Sequence, residues 1–196
     1  VEVDGNLTAT PSNPSISKAF IMLGNLNQSP FFAIAGKTYL SYGAFGGGGP
    51  WTNALQKQAF SPAETPQLQV GYDQNGLVAE FSAANNSTFS NNLQDLVYNV
   101  YYGKQINQFN YQVGAGYMTD IRGLSSAVGS AYATSAASSS STATIIGKRN
   151  GLYDVNGQIG YGSYAVIGEF LRTTTGATVV TTNQNTGLMS AWVLGA

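Results

Sequence analysis

Apolar and polar residues alternate with a period of two through most of this chain, and no long segment carries the period near 3.6 that a helix needs. Val1, Val3, Gly5, Leu7 and Ala9 alternate with Glu2, Asp4, Asn6, Thr8 and Thr10. Leu96, Tyr98, Val100 and Tyr102 fall on every second position. Tyr111, Val113, Ala115 and Tyr117 do the same against Asn110, Gln112, Gly114 and Gly116. Tyr153, Val155, Ile159 and Tyr161 stand against Asp154, Asn156, Gln158 and Gly160. Successive side chains of a strand point to opposite faces, so the pattern specifies strands with one apolar and one polar face. The expected fold class is all-β.

Ten strands are expected, at about 1–10, 18–26, 31–42, 67–73, 76–84, 94–103, 108–119, 151–161, 163–173 and 187–196. Short connections fall at Asn27–Pro30, Asp73–Gly76, Lys104–Asn107 and Gly162, and the Asn75-Gly76 pair is tight-hairpin chemistry. Longer ones cover 11–17, 43–66, 85–93, 120–150 and 174–186. Long and short connections alternate, which in a meander puts every long loop at one end and every tight turn at the other. Outer-membrane barrels have that asymmetry, together with strands of about ten residues, apolar side outward. Phe31, Phe32, Tyr72, Tyr102, Tyr161 and Tyr164 cluster near the short turns, where an interfacial aromatic girdle would sit. Residues 1–196 are therefore expected to form a single transmembrane antiparallel up-and-down β-barrel in a bacterial outer membrane. Its ten strands either close alone or belong to a larger barrel.

Composition narrows the function. Only 8 Lys+Arg and 9 Asp+Glu occur, 9% of the chain, and the net charge of −1 gives no footprint for nucleic acid. There is no His and no Cys, which excludes disulfides, thiol nucleophiles and His-based triads and leaves no expected metal site or cofactor. Hydrophobic residues make up 43% and aromatic ones 12%, too much for a disordered chain. The longest near-apolar run, Phe31 to Gly36, is far short of the roughly 20 residues of a spanning helix. Gly46 to Gly49 lacks the Gly-Lys-Ser/Thr ending of a phosphate loop. Leu124 to Thr144 is a Ser/Ala/Thr-rich stretch expected to be an exposed loop. No basic segment followed by an apolar one appears at Val1, as in a mature, trimmed or fragmentary chain.

If the apolar sides face lipid, Glu2, Asp4, Lys37, Glu80, Asp154 and Glu169 line the interior and set selectivity. Their net charge favours cationic or neutral solutes. Loop contacts to a solute are expected from Trp51, Asn53, Tyr132, Lys148 and Arg149. Glu2 and Asp4 are the carboxylates nearest in sequence and show no acid/base asymmetry, so no enzyme is expected. The expected partners are outer-membrane lipid and a small solute. The alternative is a structural or adhesive surface protein, either a barrel anchor or a filament subunit.

Gly24-Asn25-Leu26 leads to Ser29-Pro30-Phe31-Phe32-Ala33 and Gly36-Lys37-x-Tyr39-Leu40-x-Tyr42-Gly43-x-Phe45. Pro50-x-Thr52, Ala63-Glu64-Thr65, Leu68-x-Val70-Gly71-Tyr72 and Asn75-Gly76 follow. In order and spacing, about residues 20–84, with a fainter echo at Ser190-Ala191-Trp192, this resembles the LbtU-type siderophore porin family of Legionella, Coxiella and Francisella relatives. The resemblance implies an outer-membrane barrel for uptake of an iron-siderophore or related solute, with more strands after Ala196. The Ser/Ala loop and Gly46–Gly49 depart from the family pattern.

Overall fold

The computed structural model describes residues 2–10, 13–43, 64–85, 92–121, 145–146, 149–175, 177–179, 184–186 and 190–195. For 2–17, 145–146 and 177–195 it describes strand pairing alone. In chain order the strands are β1 (Glu2–Thr10), β2 (Asn13–Gly24), β3 (Phe31–Tyr39), β4 (Glu64–Gln74), β5 (Leu77–Ala84), β6 (Asp95–Ile106), β7 (Phe109–Met118), β8 (Ile145–Ile146), β9 (Leu152–Tyr161), β10 (Tyr164–Thr173), β11 (Ala177–Val179), β12 (Gln184–Thr186) and β13 (Ser190–Gly195). Ten of them form one sheet in the order β1-β2-β3-β4-β5-β6-β7-β9-β10-β13, every neighbour antiparallel and next along the sheet. The fold is an all-β up-and-down meander. Among the described residues β1 and β13 each keep one edge without a ladder.

The tight turns lie together at one end. Asn75 and Gly76 have φ of 55° and 85°, the two left-handed residues of a type I′ hairpin. A Cβ on Gly76 would lie 2.0 Å from the Gly103 carbonyl oxygen, so only glycine fits. Asn107 (φ 56°) and Gly162 (φ 58°) make two more two-residue turns at this end.

Three expectations are corrected. The connection at 11–17 shrinks to 11–12, because β2 starts at Asn13. Asn13-Pro14-Ser15 has turn composition, but β3 pairs only from Ala19 onward, so Pro14 sits where one side of β2 needs no N–H donor. Next, β3 stops at Tyr39 instead of running to 42. Finally, the loops expected at 120–150 and 174–186 contribute β8, β11 and β12, a small second sheet whose strands are too short to leave a periodic signal.

The two faces of the main sheet are inverted relative to a water-soluble protein. Val70, Val100, Val113, Val155, Ile159 and Val166 point outward and are exposed. Thr65, Gln67, Gln69, Ser82, Asn99, Asp154, Asn156 and Glu169 point the other way and are buried. Soluble folds bury the first set and expose the second.

The sheet is also strongly curled. In sheet order, β9 and β10 are five and six strands from β3, about 24 and 29 Å in a flat sheet. Tyr42 is three residues beyond β3, a reach of about 10 Å of backbone. Yet its hydroxyl lies in the field of Asp154 on β9 and Glu169 on β10. Its ring lies 3.2 Å from where a Cβ on Gly116 of β7 would be. Only a sheet whose polar face wraps inward brings these groups together.

Candidate functional site: the polar inner face

Beyond β3 the chain crosses this concave face. Leu40 and Tyr42 are buried, 3% and 5% exposed, and Ser41 lies between them. Ser41 Oγ donates to Glu80 Oε2. Gln69 Nε2 donates to Glu80 Oε1 at 2.8 Å, and Asn99 Nδ2 donates to Ser41 Oγ at 3.3 Å. Gln67 Nε2 donates to the Tyr39 carbonyl at 2.8 Å, tying the end of β3 to β4. Polar residues alternate on β4 and β9 because the register stacks them in rows. Gly71, Glu80, Asn99, Gly116 and Asp154 form one such row, and Tyr101, Gly114, Asn156 and Glu169 the next.

A second cluster lies on β9 and β10. Asp154 and Glu169 are diagonal neighbours on their ladder and interact. Asn156 Nδ2 donates to Asp154 Oδ1 at 2.5 Å. Asp154 Oδ2, Asn156 Oδ1 and the Tyr42 hydroxyl have no hydrogen-bond partner among the described residues. Burial, followed in weight by Asp154 and then Glu169, pushes the Tyr42 hydroxyl far above the ordinary tyrosine value, so it stays a neutral phenol.

Towards the long-loop end the interior is closed by apolar side chains. Met118, Ile121 and Leu152 are fully buried, with Val97 beside them.

Of the expected interior residues, Glu80, Asp154 and Glu169 take their places on the inner face. The pairing of Glu2 with Met22 and Asp4 with Phe20 puts both in inner-face rows, while their side chains lie outside the described residues. Lys37 is corrected. It pairs with Ala19 and Pro66, in the outward row near the end of β3. Phe32 is corrected too. It leaves the aromatic girdle, facing inward over Gly71, where a Cβ would come within 2.1 Å of its ring. The rest of the expected girdle, Phe31, Tyr72, Tyr102, Tyr161 and Tyr164, does gather outward near the tight turns, with Phe31 and Tyr72 edge-to-face at 5.4 Å.

Trp51, Asn53, Tyr132 and Lys148 fall outside the described residues. Arg149 is half-exposed and tethered to its neighbours. Its Nη2 donates to Gln94 Oε1 at 3.0 Å and lies 3.9 Å from buried Asp95. Ser41, Tyr42, Asn99 and Asn156 were not expected as site residues. The Asn156 and Gln158 alternation was a readable signal, whereas Tyr42 looked like one more strand residue.

No curated protein and no solved structure matches the chain. The sequence profile of a family described as a protein of unknown function, DUF3573, matches residues 2–148, from β1 through β8. The curled meander with the polar lining is thus the fold of a chain that belongs to the DUF3573 family.

Proposed function

We propose that this chain is a transmembrane β-barrel of a bacterial outer membrane, passing or binding a small neutral or cationic solute without catalysis. The observation that carries the reading is the inversion of the sheet: exposed Val113, Val155, Ile159 and Val166 outside, buried Gln67, Gln69, Asn99 and Glu169 inside. In water that arrangement exposes apolar surface and desolvates polar groups; in a bilayer each face meets its own medium. Ten antiparallel strands leave β1 and β13 antiparallel to one another, so their edges can join, as lipid requires of a spanning sheet. The resemblance to siderophore porins supports an iron-siderophore as the solute class. The apolar closure at Met118, Ile121 and Leu152 supports contacts with so large a solute on the long-loop side.

That closure also favours a second reading, a barrel anchor that displays its loops and conducts nothing. One experiment separates the two. The chain is refolded into detergent and lipid, examined by gel mobility with and without boiling, and then inserted in a planar bilayer. A heat-modifiable band with ion conductance that rises in Tyr42→Ala supports the transporter. A heat-modifiable band with silent bilayers from both proteins supports the anchor. Release from membranes by buffer or urea, with no mobility shift, overturns the membrane barrel itself.

A further inference from the structure

The second cluster has a chemistry that the sheet does not need. Asp154 is 1% exposed, Glu169 4%, and Asn156 and Tyr42 5% each. Asp154 and Glu169 are joined by a side-chain hydrogen bond, so one shared proton holds the two carboxyl groups together until a cation displaces it. Among the described residues no Lys or Arg forms an ion pair with Asp154.

Three oxygens of this cluster have no partner among the described residues: Asp154 Oδ2, Asn156 Oδ1 and the Tyr42 hydroxyl. A tyrosine hydroxyl that lies beside carboxylates and donates to neither has a gap between donor and acceptors. Orphaned buried oxygens of this kind commonly mark an ordered water or an ion. The neighbouring strand makes room for them as well. Gly114 pairs with Asn156, and a Cβ there would stand 2.7 Å from Asn156 Oδ1.

We infer that Asp154, Glu169, Asn156 and Tyr42 form an interior site for one hard divalent cation of the calcium class. All donors are oxygen, which suits calcium and magnesium and not the softer metals. They come from β9, β10 and the segment after β3, an irregular set that matches calcium's flexible coordination better than magnesium's octahedron. Once their shared proton has left to solvent, the two carboxylates balance a double charge, the amide and phenol add neutral oxygens, and water completes the shell. Bound there, the ion ties the crossing segment to the far wall of the curled sheet. The inference needs the curl alone, and it stands whether or not the protein conducts.

Terbium(III), a calcium mimic whose emission is excited through a nearby tyrosine, is the probe. The full chain, refolded in detergent and stripped with a chelator, is titrated with terbium and then with calcium. Saturable emission, displaced by calcium, is expected. Affinity should fall about tenfold or more in Asp154→Asn and stay unchanged in Glu64→Gln, a carboxylate on the outward row. Tyr42→Phe should lose most of the emission, and wild-type emission should be weakened equally by Gly114→Ala, which closes the space. Heat-modifiable mobility of each variant shows that it has folded. Should a variant fail that check, a calcium-dependent rise in the unfolding midpoint of the wild-type protein gives the same reading, and its absence overturns the site. Emission that does not saturate, or is unaffected by Asp154→Asn in folded protein, also overturns it and leaves water or a proton in the cluster. Silent bilayers with intact terbium binding would instead remove the transport reading and leave this one standing.

Discussion

Val113→Lys is the sharpest perturbation of the outward face. Val113 is 55% exposed, sits four residues from Phe109 and five from Met118 at the ends of β7, and is flanked in its row by Tyr102 and Gly157. At about 3.4 Å per residue and a tilt near 40°, those distances place it roughly 10 and 13 Å from the two ends along the membrane normal, close to the middle of an apolar band about 25 Å tall. A lysine there costs about 2–4 kcal/mol in a bilayer, a shift of roughly 30- to 900-fold in the folding equilibrium. In water the same change at a half-exposed position costs no more than about 0.5 kcal/mol. Equilibrium unfolding in denaturant, with the protein in lipid vesicles, reads the difference, and Gln108→Lys in the adjacent tight turn is the control expected to be near neutral. If both substitutions leave stability within about 0.5 kcal/mol of wild type, the outward face does not meet lipid and the membrane reading fails.

Three further outcomes follow from the geometry. Because burial raises the Tyr42 hydroxyl above its ordinary value of 10.0, the folded state holds that proton when the unfolded chain releases it; stability is full below about pH 10 and falls as pH rises further, and Tyr42→Phe should make that alkaline loss shallower in pH-dependent unfolding curves. Gly76→Ala adds both a left-handed φ penalty and a contact at 2.0 Å with the Gly103 carbonyl, whereas Gly162→Ala meets nothing within 4 Å; the first should lose more stability than the second, whose penalty is about 1 kcal/mol from backbone conformation alone. Gly71→Val should displace the Phe32 ring and cost about 1–3 kcal/mol, with partial recovery in a Phe32→Ala, Gly71→Val double variant measured by the same unfolding assay.

The period-two pattern made ten strands legible because each needs one apolar face, and the register follows from it: a slip of one residue on β9 would put Val155 inside and Asp154 outside. The tight turns were legible because Asn75-Gly76 and Gly162 satisfy a local backbone demand. What stayed hidden was decided by distant partners. Pro14 is tolerated only because β3 starts to pair beyond it, which no local reading shows. Lys37 follows a continuous apolar run, Phe31 to Gly36, which leaves the parity of β3 undefined until pairing with Pro66 fixes it. Leu40 and Tyr42 prolong the alternation of β3, and their departure across the interior depends on Asn99, Gly116 and Asp154, which lie far along the chain. Glu80 and Glu169 could be assigned to a face but not to a cluster, since strand parity says nothing about which groups meet across a curved sheet.

The strict neighbour order of the main sheet bears on how fast it can form. Every ladder joins strands that follow one another in that sheet, and four of the junctions are only two residues long, the kind of hairpin that closes in about 1–10 μs. Such a meander can zip up from any hairpin outward, each step enlisting the next strand with little search. Joining β1 to β13 is the exception, because it would tie the two ends of nearly the whole chain. Attempted first, that contact carries a loop entropy about 4 kcal/mol greater than a two-residue turn. Attempted last, it falls to a sheet already curled by its own interior. The segment after β3 would then act as a template for the curl, fixing the curvature before the two edges could meet.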